Sequence, residues 1–136
     1  MAAHTVNRQD DMMQSRYDAN YTPPAPRLEI RLAVPDEAFR SPPLNALVDT
    51  GADAVIVPAE YIEMLGVQID NRKTLRSSWG EHRPVNVYLI DVGIGDLRLP
   101  LIEIVADDRG DEIILGRSVL NRLVMVLDGP QQILEI

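Results

Sequence analysis

The chain has 136 residues, and its 13 lysine and arginine residues against 21 aspartate and glutamate residues give a formal net charge of −8 at pH 7. Hydrophobic residues make up 46% and charged residues 25%, the balance of an ordinary globular domain, and the length fits one domain. The acidic balance argues against a nucleic-acid partner, because neutralising phosphates requires a clustered basic surface. The absence of cysteine excludes disulfides, thiol nucleophiles and cysteine-bound metals.

Targeting segments and metal sites are not indicated by the sequence. No run approaches the ~18 consecutive apolar residues of a membrane span, and the N-terminus lacks the apolar core of a secretion signal. We therefore expect a cytoplasmic protein that does not associate with membranes. Two histidines, His4 and His82, are too few for a histidine-rich metal site, so we expect neither a metal nor a cofactor.

Residues 1–26 form one compositional block. They contain only Val6 from the Val/Ile/Leu/Phe set and end in a proline-rich stretch, 22–26. Such a segment buries too little apolar surface to offset its ordering entropy, which predicts a flexible N-terminal arm. A short part of it could pair as an edge strand in an assembly. The remaining residues, 27–136, are expected to form the folded domain.

The first half of this domain shows strand patterns followed by one helix. Apolar residues alternate with polar ones over 28–32, which indicates a half-buried strand. Short apolar strands are predicted at 44–48 and 55–57. A short helix is predicted over 58–66, because proline suits its start and Gly66 suits a left-handed C-terminal cap.

The second half is also dominated by strand patterns. Residues 72–92 are predicted to form two strands around a polar tip, 77–84, and the period-2 pattern resumes at 97–101 after a turn. A buried strand at 113–115 precedes a short helix from Gly116 to Arg122. The pair Asp128-Gly129 predicts a hairpin between 123–127 and 133–136. Seven to nine short strands and two short helices indicate a mostly β domain, barrel-like or sandwich-like.

Two segments carry the chemistry of the chain. In the first, the apolar strand 44–48 runs into Asp49-Thr50-Gly51, so the carboxylate is held at a strand end rather than on a solvated face. Gly51 would permit a close backbone approach or a positive φ. The second segment is the apolar run 113–115 followed by Gly116 and Arg117.

Together these segments resemble the retropepsin-like aspartic proteases, the single-domain relatives of pepsin. The catalytic motif of that family, an apolar pair followed by Asp-Thr-Gly-Ala-Asp, is matched by 47–53, and its second signature by 113–117. The resemblance extends from Leu28 to Ile136. It implies an all-β fold, the retropepsin-like acid protease barrel with a flap hairpin and one or two short helices. Because the chain ends in a hairpin, it looks closer to the cellular and bacterial members than to the viral ones.

The resemblance also implies roles for individual residues. Asp49 would be the catalytic carboxylate, Thr50 would hydrogen-bond to the partner loop, and Gly51 would present its carbonyl to the substrate. Asp53 and Arg117 would form a buried structural ion pair, and Asp53 would also contact the substrate.

The hairpin 72–92 would be the flap over the cleft, with Trp79 and Gly80 at its tip contacting the substrate. Viral members have a glycine-rich tip, so this one is bulkier and more polar. His82 is expected to be a solvated loop residue rather than a catalytic one.

The presence of one Asp-Thr-Gly implies a homodimer. Aspartic peptidases need two carboxylates that share a proton, and like charges held close together cannot both ionise. The second Asp49 must then come from a second copy related by a twofold axis. The expected seam is 133–136, with part of the N-terminal arm. The substrate would be a peptide or protein.

Several alternatives compete with this endopeptidase. A catalytically weak relative could serve as a dimerisation or peptide-binding module, holding extended chain by backbone hydrogen bonds. A glycosidase would need a second acid, which the sequence does not identify. The acidic stretch 107–112 does not match the spacing of a calcium loop, and 93–95 lacks the third glycine of a dinucleotide motif.

Overall fold

A computed structural model describes residues 13–76 and 80–136. These residues form ten strands and two short helices, which in chain order are β1 (Gln14–Arg16), β2 (Arg27–Ala33), β3 (Leu44–Val48), β4 (Val55–Pro58), α1 (Ala59–Leu65), β5 (Asn71–Arg76), β6 (His82–Ile94), β7 (Leu97–Asp107), β8 (Ile113–Leu115), α2 (Arg117–Leu120), β9 (Val126–Asp128) and β10 (Ile133–Glu135).

Six of the strands close into a barrel. Their order is β2-β3-β8-β4-β7-β6, and β6 returns to pair with β2, while β5 is joined only to β6. The pairs β3–β8 and β4–β7 are parallel, and the other pairs of the barrel are antiparallel. Closure pairs the six barrel strands with one another and leaves β5 as the edge strand of this sheet. The predicted all-β fold, the retropepsin-like barrel, is confirmed.

The barrel is filled by the alternating residues that the sequence pattern predicted. In β2, Leu28, Ile30 and Leu32 are completely buried, whereas Glu29 and Arg31 are exposed. This is the expected result of the period-2 geometry of a strand with one face toward a core. Burial of the apolar face is the main contribution that holds the barrel closed.

The predicted short helix is present as α1 and packs beside the barrel. Ile62 and Leu65 are buried, and Gly66 adopts φ 73° at the C-terminal cap, where its N–H donates to the carbonyls of Ile62 and Glu63. Glycine reaches this left-handed conformation without the steric cost of a Cβ. The chain can therefore turn sharply from α1 toward β5.

A second sheet, ordered β1-β10-β9, joins the two ends of the described chain. Met13 and Ile136 exchange two backbone hydrogen bonds of 2.9 and 3.0 Å, and Ser15 lies opposite Leu134. Residues 14–16 are thus paired within their own chain, whereas the sequence predicted a flexible arm over 1–26 of which a short part could pair as an edge strand in an assembly. The backbone bonds to β10 compensate for the low apolar content of this segment. Residues 1–12 lie outside the described residues.

Several element boundaries differ from the sequence prediction, as the final hairpin and the second helix illustrate. The final hairpin has a four-residue loop, 129–132, and β9 begins at Val126 rather than at residue 123. The helix α2 ends at Leu120 rather than at Arg122. Short terminal elements depend on pairing and packing more than on local pattern, so their ends are the least determined by sequence.

Asp91 is a buried carboxylate at the irregular part of the β6–β7 pair. It is 1% exposed, and its oxygens accept hydrogen bonds from Leu101 N, Asp36 N and Arg98 Nε at 2.9, 3.1 and 2.9 Å. Burial raises the pKa of this carboxyl, but the three donors and the Arg98 charge outweigh burial, so the pKa lies below its ordinary value. Asp91 therefore ties the loop before β3 to the barrel.

Candidate active site

The two signature segments meet at one edge of the barrel. Strands β3 and β8 are parallel neighbours, with Val48 opposite Leu115, and Asp49 N donates to Leu115 O at 3.0 Å. Because the strands are parallel, their carboxyl ends lie at the same edge. The Asp49 loop therefore lies beside Gly116 and Arg117, more than sixty residues away in sequence.

The loop after β3 holds the Asp49 carboxylate in a tight turn. Asp49 Oδ1 accepts a hydrogen bond from Gly51 N at 2.9 Å, and Asp49 O accepts one from Ala52 N at 3.2 Å. Asp49 is partly exposed, whereas Thr50 and Gly51 are exposed. A carboxylate that is fixed by a backbone donor and still accessible can exchange protons with a bound molecule.

Gly51 makes a close approach to the acid rather than adopting a positive φ. Its φ lies outside the left-handed region, but a Cβ at this position would lie 3.2 Å from Asp49 Oδ1. The sequence allowed either a close backbone approach or a positive φ at this glycine, and the structure shows the close approach. A side chain here would crowd the carboxylate.

Gly116 lets the second segment touch the acid loop. A Cβ at Gly116 would lie 2.2 Å from Ala54 O and 2.7 Å from Ala52 O. The contact is fixed by hydrogen bonds from Arg117 N to Ala52 O at 2.8 Å and from Ser118 N to Asp53 O at 3.1 Å. Backbone atoms cannot move aside as a flexible side chain can, so only glycine fits.

Arg117 links this contact to the loop through its side chain. Its Nη1 donates to Thr50 O at 2.8 Å, and its Nη2 contacts Asp53 Oδ1. The pair was expected to be buried, but the Asp53 side chain is 88% exposed and that of Arg117 is 45% exposed. The pair is exposed because the loop lies at the rim of the barrel, where water reaches both groups.

The hairpin formed by β5 and β6 stands over the loop side of the barrel, with Arg76 opposite His82. A cavity of about 250 Å³ separates Asp53 and Ala54 from Thr74 and Leu75 of the hairpin. The structure thus places Asp53, a predicted site residue, and the hairpin on the walls of one cavity. Gly80 is exposed at φ 83° and does not line this cavity, and Trp79 lies outside the described residues.

Metal-binding clusters and membrane-spanning helices are both absent from the residues that the structure describes. In 13–76 and 80–136, no group of three or more potential ligands could hold a metal ion. Within the same ranges, no helix has the length and apolar character needed to cross a membrane.

The sequence matches the model of a known protein family. The family described as "gag-polyprotein putative aspartyl protease" matches residues 38–122, more than half of the 136-residue chain. The match includes the Asp49 loop, the hairpin and the Gly116-Arg117 segment. The chain therefore belongs to this family of retropepsin-like aspartic proteases.

Solved structures agree with this assignment at the level of fold. A retropepsin-like aspartic protease from Rickettsia conorii aligns with a TM-score of 0.64 and 17% identity, covering 91% of this chain and 88% of that chain. The simian foamy virus (mac) protease aligns with a TM-score of 0.52 and 20% identity, covering 71% of this chain and 92% of that chain. A comparison with curated protein sequences found no match.

Proposed function

We propose that the protein is an aspartic endopeptidase whose active site is shared by two copies, each supplying one Asp49. The observation that carries the proposal is the placement of Asp49. It lies at the edge where β3 and β8 end, is held by Gly51 N and remains accessible. Retropepsin-like proteases act as dimers on peptide substrates.

The chemistry requires two acid groups with one proton between them. The ionised carboxylate takes a proton from the attacking water, and the protonated one donates to the carbonyl oxygen of the scissile peptide bond. This chain contains a single Asp-Thr-Gly. Asp53, the next acid in the loop, forms an ion pair with Arg117. A second Asp49 from a partner is the group that completes the pair.

The exposed edge of the terminal sheet supports a dimer seam at β9. Val124 is 83% exposed, and Val126 and Leu127 are each 47% exposed. Strand β9 is an edge strand, whereas β10 is paired on both sides within its own chain. The expected seam was 133–136 with part of the N-terminal arm, and we place it at β9 in this proposal, because an edge strand with exposed apolar residues can pair with a second copy.

The hairpin is proposed to act as the flap that closes over an extended peptide, with Trp79 and Gly80 at its tip and Gly51 and Asp53 on the opposite side. The cavity of about 250 Å³ supports this arrangement because its wall includes apolar residues of the hairpin. An apolar substrate side chain would be desolvated there. Closure would exclude water from the reacting atoms.

Replacement of the acid tests the proposal. Asp49→Asn should abolish cleavage of a denatured protein at acidic pH, because the amide cannot serve as the base, while the dimer in sedimentation experiments stays intact. Asp96→Asn, in the exposed turn between β6 and β7, is the matched control and should cleave normally.

A statine-type transition-state analogue should inhibit the wild-type enzyme. Unchanged cleavage by Asp49→Asn would contradict the proposal. The wild-type dimer could instead bind peptides, cleave none of them and fail to bind the analogue. That result would identify the alternative function, a catalytically weak binding module.

A further inference from the structure

A second cavity lies on the other side of the hairpin, away from the acid loop. Its volume is about 660 Å³, within the range of ligand pockets. It is an open cavity lined by residues of α1, of β5, β6 and β7, and of the turn that follows β7. It shares only Val85 with the cavity beside Asp53. A ligand here would occupy a site separate from the proposed catalytic cleft.

The inner surface of this cavity is mostly apolar. Ile62 and Val85 are buried, and the other apolar lining residues are Ala59, Val67 and Ala106. Tyr88, which is partly buried, adds an aromatic ring to the wall. Such a surface favours an apolar group that leaves water.

Three arginines line the same cavity: Arg72, Arg83 and Arg109. The lining acids are Glu63 and Asp108, and Asp107 pairs with Arg83, so the local charge is 3 − 3 = 0, whereas the whole chain carries 13 − 21 = −8. An anionic ligand is therefore repelled less at this cavity than by the average surface of this acidic chain.

Two of the three guanidinium groups lie outside the ion pairs between described residues. Arg83 forms an ion pair with Asp107 at 3.7 Å, a separation longer than a hydrogen bond. Among the ion pairs between described residues, none includes the side chain of Arg72 or Arg109. Arginine binds carboxylates in a bidentate geometry, which gives both affinity and orientation.

We propose that this cavity, named here the arginine cavity and defined by Arg72, Arg83, Arg109, Ile62 and Val85, binds an acidic peptide segment. An apolar side chain of the segment would enter the inner surface, and flanking carboxylates would bind the arginines. The inference goes beyond the proposed peptidase activity and does not depend on it.

Binding can be measured without cleavage in the Asp49→Asn protein. The probe is a blocked pentapeptide, Asp-Glu-Leu-Glu-Asp, and its matched control is Asn-Gln-Leu-Gln-Asn. By titration calorimetry the acidic peptide should bind, and the neutral one should bind at least about tenfold more weakly because it lacks the carboxylates. Arg72→Gln and Arg109→Gln should each lower the affinity for the acidic peptide about tenfold. Arg40→Gln, an exposed arginine outside the cavity, should leave its affinity unchanged.

The location is tested by amide chemical shifts of the same protein. Changes at Ile62, Val67 and Tyr88 support the proposal, whereas changes confined to Asp53 and Ala54 would place the peptide in the catalytic cleft and overturn it. Equal affinity for the two peptides, or an equal loss in Arg40→Gln, would also overturn it. Glutarate binding as tightly as the acidic peptide would show a simple anion site and contradict the peptide assignment. Because Asp49 is already replaced, none of these results depends on whether the wild-type protein is a peptidase.

Discussion

The guanidinium of Arg117 donates a hydrogen bond of 2.8 Å to the carbonyl oxygen of Thr50, the residue that follows the candidate catalytic acid. The same side chain contacts Asp53 at the other end of the loop. One arginine from α2 therefore holds both ends of the turn that carries Asp49. Its effect is expected to be larger on loop geometry than on stability.

Arg117→Ala should lower the free energy of unfolding by only ~1 kcal/mol, because exposed ion pairs contribute little. Cleavage should fall at least about tenfold, because small displacements of a reacting group are costly. Arg117→Lys keeps the charge but loses the two separate N–H groups that contact Thr50 and Asp53. Compared with Arg117→Ala, it should regain the stability but little of the activity. Chemical denaturation and kcat/KM measured on the same samples separate the two effects. A loss of several kcal/mol would show that the pair is buried in the assembly.

Gly116→Ala should be strongly destabilising, by ~3 kcal/mol or more. The added methyl group would lie 2.2 Å from Ala54 O and would push the acid loop away from β8. Gly129→Ala is the control, because a Cβ added there would meet no atom within 4 Å and the φ of this glycine lies outside the left-handed region. Thermal and urea unfolding measure both variants. Equal stability of Gly116→Ala and Gly129→Ala would contradict this prediction, because it would mean that the acid loop can move away from Gly116 without loss of unfolding free energy.

The Asp91 carboxylate should contribute stability that is lost in acid. Its folded-state pKa lies below the ordinary value of 3.8, so its contribution is present above pH 3.8 and disappears as pH falls through the lower folded value. Asp91→Asn should destabilise the protein by ~1.5–3 kcal/mol at pH 7, because hydrogen bonds to a charged group are lost. The difference from wild type should shrink below pH 3.8. Urea titrations across pH test this, and the exposed Asp96→Asn should show no such convergence.

The proposed seam predicts that charge on β9 weakens the dimer. Leu127→Glu places two carboxylates at the paired edge, so the dimer should dissociate at concentrations where the wild type stays associated. Leu97→Glu, at the start of β7 and similarly exposed at 49%, is the matched control. Analytical ultracentrifugation measures both, and cleavage should fall with the dimer fraction. A Leu127→Glu protein that remains dimeric would place the seam elsewhere.

Much of the candidate site could be predicted because its signals are local. The apolar alternation of β2, the cap at Gly66 and the segments around Asp49 and Gly116 each reflect a backbone requirement that a few neighbouring residues express. These requirements predicted the strands and α1, and the resemblance of the two segments to the retropepsin-like motifs predicted the family of the fold. The role of Asp49 as the acid stays a prediction that the Asp49→Asn variant tests.

The features that the sequence did not determine depend on which distant segments meet. The Asp53–Arg117 pair is exposed because its loop lies at the rim of the barrel. Residues 14–16 form a strand because the edge of β10 that does not pair with β9 lies beside them. Arg72, Arg83 and Arg109 line one cavity only because α1, the hairpin and a turn pack together. Local pattern determines which elements form, because it acts through neighbouring backbone and side chains. Burial, edge pairing and the local charge are decided by tertiary packing, because they are properties of surfaces that several segments build.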